Sequence, residues 1–331
     1  MHSTTHPFHP AAPTRATAIL GRLWSASPPL TAVGTLMLVV AGASLVGIFI
    51  DPRIITGAPA WLKPFKFAIS AAIYSLTLAW VFGWLSDWPR VRRVVGWTTT
   101  IVFVLEVGIV DMQAWRGTTS HFNVSTVLDA LLFSVMGVAI FLQTAASVAV
   151  AMALWRQRFT DRPLGWALRL GMTLTIAGAL TGGLMTRPTP EQLAKVRAGG
   201  GMTTVGAHTV GGPDGGSGIP LIRWSRDHGD LRVPHFIGLH AIQVLALAAL
   251  GLRRWRRPEA ARVQAMLVFG ASYAALFLLL IWQALRGQSV VAPDVVTLQT
   301  LAAWAGGTVV ALGWIALGSR GVSHGLSRRI A

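Results

Sequence analysis

Eight long runs of predominantly apolar residues constrain this chain more than any other feature of its sequence. The runs are 19 to 32 residues long, and a helix of about 20 residues crosses the roughly 30 Å hydrocarbon core of a bilayer. Only 12% of the 331 residues are charged, whereas soluble domains carry about 25%. The sequence therefore predicts an all-α, polytopic membrane protein with eight transmembrane helices. The predicted spans are Pro29–Ile50, Phe67–Leu85, Val94–Trp115, Val124–Trp155, Leu164–Met185, Pro234–Leu252, Val263–Leu285 and Val295–Leu317.

The basic residues predict how the chain is oriented. The 28 Lys and Arg exceed the 12 Asp and Glu, for a net charge of +16, but most of them lie in short loops, as membrane topology requires. We therefore predict no nucleic-acid partner. The arginines concentrate near both ends and in alternate loops, which predicts cytoplasmic termini in a bacterial-type plasma (inner) membrane. The absence of Cys excludes disulfides and Cys-ligated metals.

A short repeat predicts an internal duplication. Gln113-Ala114-Trp115-Arg116-Gly117 recurs as Gln283-Ala284-Leu285-Arg286-Gly287, 170 residues later, and Pro64 and Pro234 share that offset. We predict a 4+4 parallel duplication with a pseudo-two-fold axis along the membrane normal. The predicted units are a disordered cytoplasmic N-terminus (1–27), a first four-helix repeat (28–155), a second repeat (156–318) with an extracytoplasmic glycine-rich loop (187–233), and a cytoplasmic tail (319–331).

Polar side chains inside the spans concentrate toward one side. Because such groups are costly in a membrane, they mark candidate functional positions. Glu106, Asp129 and His240 fall in the predicted outer halves of their helices and are the candidate catalytic residues. The inner halves are mostly apolar, so the sequence predicts a polar cavity that opens outward. Cations that could bind a cofactor or an anionic group lie at the same side, namely Lys63, Arg116, Arg232 and Arg286.

The outer histidines supply candidate ligands. His121, His228, Asp230 and His235 are the candidate metal ligands, and His121, His235 and His240 are candidate cofactor ligands. Five residues of helix place His235 and His240 about 140° apart, so they cannot both bind one metal from a straight helix. The alternative for His121 and His228 is hydrogen bonding within loops, and for His240 a core bond to Glu106 or Asp129.

Three hypotheses for function follow. The first is a redox protein that binds haem b. The eight-span layout is similar to that of membrane haem proteins such as haem A synthase. This similarity is one of architecture and involves no shared motif. The second is a hydrolase or transferase that uses a divalent metal ion. The third is a transporter or lipid-binding protein that grips a polar head group with Glu106, Asp129 and the arginines. Membrane lipids, and a quinone or lipid-like substrate, are the expected partners.

Overall fold

The computed structural model describes residues 15–327, and it is helical almost throughout. Two short antiparallel ribbons, β1 (Ile54–Ile55) with β2 (Ala58–Pro59) and β3 (Thr209–Val210) with β4 (Gly229–Asp230), lie in loops. The helices are α1 Arg15–Ala26, α2 Pro28–Ile50, α3 Leu62–Phe82, α4 Pro89–Trp115, α5 Val127–Arg156, α6 Arg162–Met185, α7 Pro190–Arg197, α8 Arg232–Leu239, α9 Ala241–Leu252, α10 Glu259–Leu285 and α11 Val295–Ser327.

The helices confirm the predicted class of a multi-pass, all-helical membrane protein. Within the described residues, seven helices are long and apolar enough to cross a membrane. The predicted sixth span, Pro234–Leu252, is divided into α8 and α9, which meet at His240 with a bend of 45° and make an eighth span if they cross together. The straight helix assumed for the sequence prediction is therefore wrong at this position.

The N-terminal segment differs from its prediction. Arg15–Ala26 forms helix α1, although the sequence predicted disorder up to residue 27. The apolar residues Leu20, Leu23 and Trp24 have helical spacing, and Leu23 packs against the core. The polar composition that suggested disorder belongs mainly to residues 1–14, which lie outside the described residues, as do residues 328–331 of the predicted tail.

Four loops meet at one end of the helices, which we call the cap end. They are residues 51–61, 116–126, 186–231 and 286–294. The Val124 N–H donates to the Thr203 carbonyl at 3.0 Å, and the Ser289 hydroxyl donates to the Ser225 carbonyl at 2.8 Å. These bonds join loops that are far apart in sequence, so the predicted outer loops share one face of the protein.

The remaining loops meet at the other end, which we call the arginine end. Trp88 Nε1 donates to Gln157 at 3.2 Å, and Arg253 pairs with Asp161 at 2.8 Å. The largest apolar cluster lies beside these loops and includes Leu85, in the loop that follows α3. The arginine end is thus closed by packed apolar side chains, while most of the polar groups discussed below lie toward the cap end.

Helix α6 crosses α8 and α9 at very short range because small residues line the contact. A Cβ on Gly178 would overlap the backbone of Gly238, and a Cβ on Gly171 would lie 2.7 Å from the Cα of Ile242. Thr175 lies between the two glycines and accepts the Ile242 N–H at 3.3 Å. Small residues let helices approach closely in a membrane, where association depends on packing. This crossing fixes the position of α8 and its histidine.

Candidate functional site

A glycine-rich segment covers the cap end, and we call residues 199–231 the cap. Its strands β3 and β4 pair with each other. The Val205 N–H donates to the Phe122 carbonyl at 2.9 Å, and Lys66 Nζ donates to the Ile222 carbonyl at 3.2 Å. The predicted outer loop is therefore an ordered cover that is attached to α3 and to the loop before α5.

The carboxylate of Asp230 anchors the cap. Its side chain is fully buried and pairs with Arg232 at 2.6 Å, and it accepts the Ser225 N–H at 2.7 Å. Arg232 also donates to the Arg223 carbonyl at 2.6 Å. The predicted metal ligand Asp230 and the predicted cofactor-binding residue Arg232 are thus engaged with each other and with the cap.

The other predicted arginines also pair with aspartates of the chain. Arg116 lies 2.7 Å from Asp129, which further accepts a hydrogen bond from Gln113 at 2.9 Å. Arg286 lies 2.6 Å from Asp294. A charged side chain that is removed from water needs a partner of opposite charge and further hydrogen bonds to offset the lost hydration. These contacts favour a structural role for Asp129, which was predicted to be catalytic.

Five titratable side chains come together beneath the cap, and we call Lys63, Glu106, His121, His208 and His235 the Lys63 cluster. Lys63 interacts electrostatically with Lys66, Arg232 and Asp214 and, less strongly, with Glu106. His121 interacts with Lys63, His208 and His235. Four of the five side chains, all but Glu106, keep part of their surface accessible. The cluster is therefore not close-packed, and it unites residues from α3, α4, α8, the loop before α5 and the cap.

His121 lies among aromatic rings. Its ring centroid is 5.1 Å from that of Phe67 and 6.5 Å from that of Phe133, and its Nδ1 is 3.0 Å from the Ser120 hydroxyl. Burial lowers the pKa of His121 well below its ordinary value, and the nearby Lys63 lowers it further. The imidazole is therefore neutral at pH 7 and can accept a proton or a hydrogen bond.

His208 reaches the cluster from the cap. Its Nδ1 lies 2.7 Å from Asp214, and its ring centroid lies 4.8 Å from that of Phe122. Burial lowers the pKa of His208 despite the opposing effect of Asp214. Burial alone would raise the pKa of Asp214, but hydrogen bonds from His208 and Thr209 hold it below its ordinary value. At neutral pH the pair is a neutral imidazole that donates to a carboxylate.

His235 and His240 are positioned by the bent pair of helices. His235 Nδ1 lies 2.7 Å from the Gly178 carbonyl and 3.2 Å from the Thr181 hydroxyl. His240 stands at the break, where its ring centroid lies 4.4 Å from that of Phe236. The contact with α6 fixes the ring of His235 and leaves Nε2 as its remaining polar atom. His235 therefore belongs to the Lys63 cluster, whereas His240, which the sequence predicted to be catalytic, does not.

Among residues 15–327, Lys63 has no ion pair and Glu106 has no hydrogen-bond partner. The Glu106 side chain is 3% exposed, and neither of its oxygens has a hydrogen-bond partner within residues 15–327. Lys63 Nζ lies 5.8 Å from the Phe67 ring centroid, but it forms no ion pair among the described residues. An acid and a base thus interact at a distance without touching.

The described residues do not assemble the predicted metal site. No group of three or more His, Asp or Glu side chains that could hold a metal ion occurs between residues 15 and 327. His228 packs on Gly212 within the cap, and Asp230 is engaged by Arg232. The three arginines predicted to bind a cofactor or an anionic group are engaged by aspartates. The geometry therefore gives no support to the haem or metal hypotheses.

Comparisons of the chain with protein-family models, with curated proteins and with solved structures gave no match.

Sequence reasoning named no role for two residues of the site. Asp214 was one residue of a glycine-rich stretch, and His208 was one outer histidine among several. The sequence carries no signal that pairs them, because the His208–Asp214 pair and its interaction with His121 depend on how the cap folds back over the helices. Lys63 was identified only as one of several cations at the outer side.

Acidification is expected to destabilise the protein through His121 and His208. A histidine whose pKa is lower in the folded state than its unfolded value of about 6.5 destabilises the folded state when it must be protonated. The free energy of unfolding is therefore highest above pH 6.5 and falls as the pH drops toward the folded pKa. The melting temperature should therefore fall between pH 7.5 and 5.5. One such histidine contributes at most about 1.4 kcal/mol per pH unit.

The His121→Gln variant is expected to reduce this dependence. Thermal unfolding in neutral detergent at four pH values measures it, with each protein referred to its own stability at pH 7.5. Parallel curves for the variant and the wild type would contradict the assignment.

Proposed function

We propose that this membrane protein binds the anionic head group of a lipid-like molecule at the Lys63 cluster. Lys63 supplies the charge that attracts the head group, and Glu106 and the neutral His121 supply groups that exchange protons with it. The single observation that carries the proposal is the pair formed by Lys63 and Glu106. Among the described residues, Glu106 has no hydrogen-bond partner and Lys63 has no ion pair, although the two interact electrostatically.

The cost of burying charge supports this proposal. An ionised group that leaves water without a partner is strongly destabilised, so unpaired polar groups inside a span mark function. A head group that accepts a hydrogen bond from Lys63 and donates one to Glu106 would satisfy both residues. The monoanion of a phosphate monoester has this combination of acceptor and donor atoms. A carboxylate has the acceptor for Lys63 and would share one proton with Glu106.

The local charge balance favours an anion. Asp214 and Asp230 are engaged by His208 and Arg232, which leaves Lys63 as a cation without an ion pair in the described part of the site. Lys63 is the second residue of α3, and the free backbone N–H groups of a helix N-terminus also favour negative charge. These features favour the lipid-binding hypothesis over the two cofactor hypotheses.

Replacing Lys63 by glutamine is expected to weaken the binding of anionic amphiphiles at least tenfold. A hydrogen bond to a charged group is worth about 1.5–3 kcal/mol, and about 1.4 kcal/mol is a factor of ten in affinity. Equilibrium dialysis of radiolabelled laurate and of dodecyl phosphate against the protein in neutral detergent measures this change. Lauryl alcohol is the uncharged probe, and its binding should not depend on Lys63.

Lys195 provides the matched control. It lies on α7 and is exposed, so Lys195→Gln removes the same charge away from the cluster and should leave both affinities unchanged. Equal affinities for the wild type and Lys63→Gln, or equal losses in the two variants, would refute the proposed function.

We also propose that both termini are cytoplasmic and that the cap is extracytoplasmic in a bacterial-type plasma membrane. The arginine distribution supports this orientation. Because the chain has no native cysteine, single cysteines can report it. Ser217→Cys in the cap should react with a membrane-impermeant maleimide on intact cells, and Ser86→Cys at the arginine end should react only after lysis. The reverse pattern would invert the topology.

We further propose that the two four-helix units arose by duplication. Three helix boundaries support it, because α8 begins 170 residues after α3, and α10 begins and ends 170 residues after α4. Gln113 donates to the Thr119 carbonyl and Gln283 donates to the Ser289 carbonyl, at the same offset. Both Arg-Gly turns also have a positive φ at glycine, 75° at Gly117 and 76° at Gly287.

A further inference from the structure

A second polar feature lies on the outside of the helices, in a cleft between α2 and α4. The cleft has a volume of about 500 Å³, and its lining includes Val40, Ala43, Ser44, Gly47, Asp111 and Trp115. Ala43 and Trp115 are exposed, so the cleft faces the surroundings of the bundle. It lies near the cap end, since α4 ends at Trp115.

The wall of the cleft is preformed. The Trp61 ring packs directly on Gly47, where a Cβ would lie 2.6 Å from the ring. The indole N–H donates to Asp51 at 2.7 Å, and Asp51 is neutralised by Arg53 at 2.6 Å. Of the two carboxylates that line the cleft, one is therefore fully engaged by the chain itself.

The other carboxylate, Asp111, has no partner among the described residues. Its Oδ1 is shielded and accepts no hydrogen bond, and no charged side chain interacts with it appreciably. Asp111 follows Glu106 by five residues, which places the two about 140° apart around α4. Glu106 can thus belong to the Lys63 cluster while Asp111 lines the cleft on another side of the helix.

Asp111 lies at the depth of lipid head groups. It is four residues from the end of α4, or about 6 Å along the axis. Trp115 is 73% exposed at the rim, as is common for tryptophan at a membrane interface. Arg53 donates to the Trp115 carbonyl at 2.8 Å, so a guanidinium is present at the same rim.

We propose that this cleft binds a membrane lipid whose head group carries a primary ammonium. The ammonium donates hydrogen bonds to Asp111, and an acyl chain lies along Val40 and Ala43. An unpaired carboxylate at this depth is costly, and a lipid ammonium supplies the missing cation. This site differs from the Lys63 cluster in place and in charge preference, and it does not depend on the proposed function.

The test measures lipid preference in nanodiscs. Wild-type protein is reconstituted with spin-labelled phosphatidylethanolamine, phosphatidylcholine or phosphatidylglycerol that have identical acyl chains, and the immobilised fraction is recorded. We expect the ethanolamine lipid to bind at least fivefold more tightly than the other two. Asp111→Asn preserves the size of the side chain and should abolish this preference.

A steric variant provides an independent test. Ala43→Phe fills the cleft from an exposed position and should reduce the immobilised ethanolamine lipid to the level of the other two lipids. Ala145→Phe makes the same change at an exposed position of α5 and should have no effect. Equal binding of the three lipids by the wild type, an unchanged preference in Asp111→Asn, or equal effects of the two phenylalanines would overturn the proposal.

Discussion

Replacing Gly178 by alanine is expected to lower the free energy of unfolding by about 3 kcal/mol, the upper part of the range for overpacking. The added methyl group would overlap the backbone of Gly238, which a rotamer change cannot move aside. α6 would have to separate from α8, and the Gly178 carbonyl would move away from His235. Unfolding in mixed micelles of dodecyl sulfate and a neutral detergent measures the change.

Gly183 is the matched control for this substitution. It lies on the same helix, and no atom lies within 4 Å of a Cβ built there. Gly183→Ala should not lower the stability, because nothing opposes the added methyl group, and alanine favours a helix over glycine by up to about 1 kcal/mol. If both variants unfold like the wild type, the close helix crossing described here is wrong.

Replacing Asp230 by alanine is expected to release the cap. The change removes one partner of a buried ion pair with Arg232 and leaves the Ser225 N–H without its acceptor, at a cost of about 3 kcal/mol. If the cap opens locally, amide hydrogen exchange in residues 209–230 should accelerate more than about 100-fold. Hydrogen exchange read by mass spectrometry measures this, while the helices should keep their protection.

Asp227 is the control for the cap. It is an exposed aspartate of the same segment, and an exposed polar contact is worth little, so Asp227→Ala should leave the exchange near the wild-type rate. An Asp230→Ala variant with unchanged exchange would contradict the anchoring role and would return Asp230 to the set of available ligands.

The helices could be predicted from sequence because their signal is long and uniform. Runs of about 20 apolar residues leave few alternatives to a membrane helix, and the predicted end of the third span at Trp115 agrees with α4. The sequence did not predict the break at His240, because no proline or glycine stands immediately after His240. The break lies next to the close contact between Gly238 of α8 and Gly178 of α6. The two glycines are far apart in sequence, so this contact could not be predicted.

The site was predicted less well because its partners lie far apart in sequence. Polar groups within spans were correctly identified as unusual, but which of them pair depends on packing. Asp129 lies beside Arg116, whereas Glu106 lies near Lys63 without an ion pair. Both acids looked equivalent as buried carboxylates, and only the structure distinguishes the paired group from the unpaired one.

Photoaffinity labelling tests the central claim most directly. A diazirine-bearing laurate is bound to the protein in neutral detergent and irradiated, and the modified residues are mapped by mass spectrometry. We expect adducts within residues 63–67 and 120–122, and their loss in Lys63→Gln but not in Lys195→Gln. Adducts confined to the exposed faces of α2 and α11, with yields independent of Lys63, would contradict an anion-binding site beneath the cap.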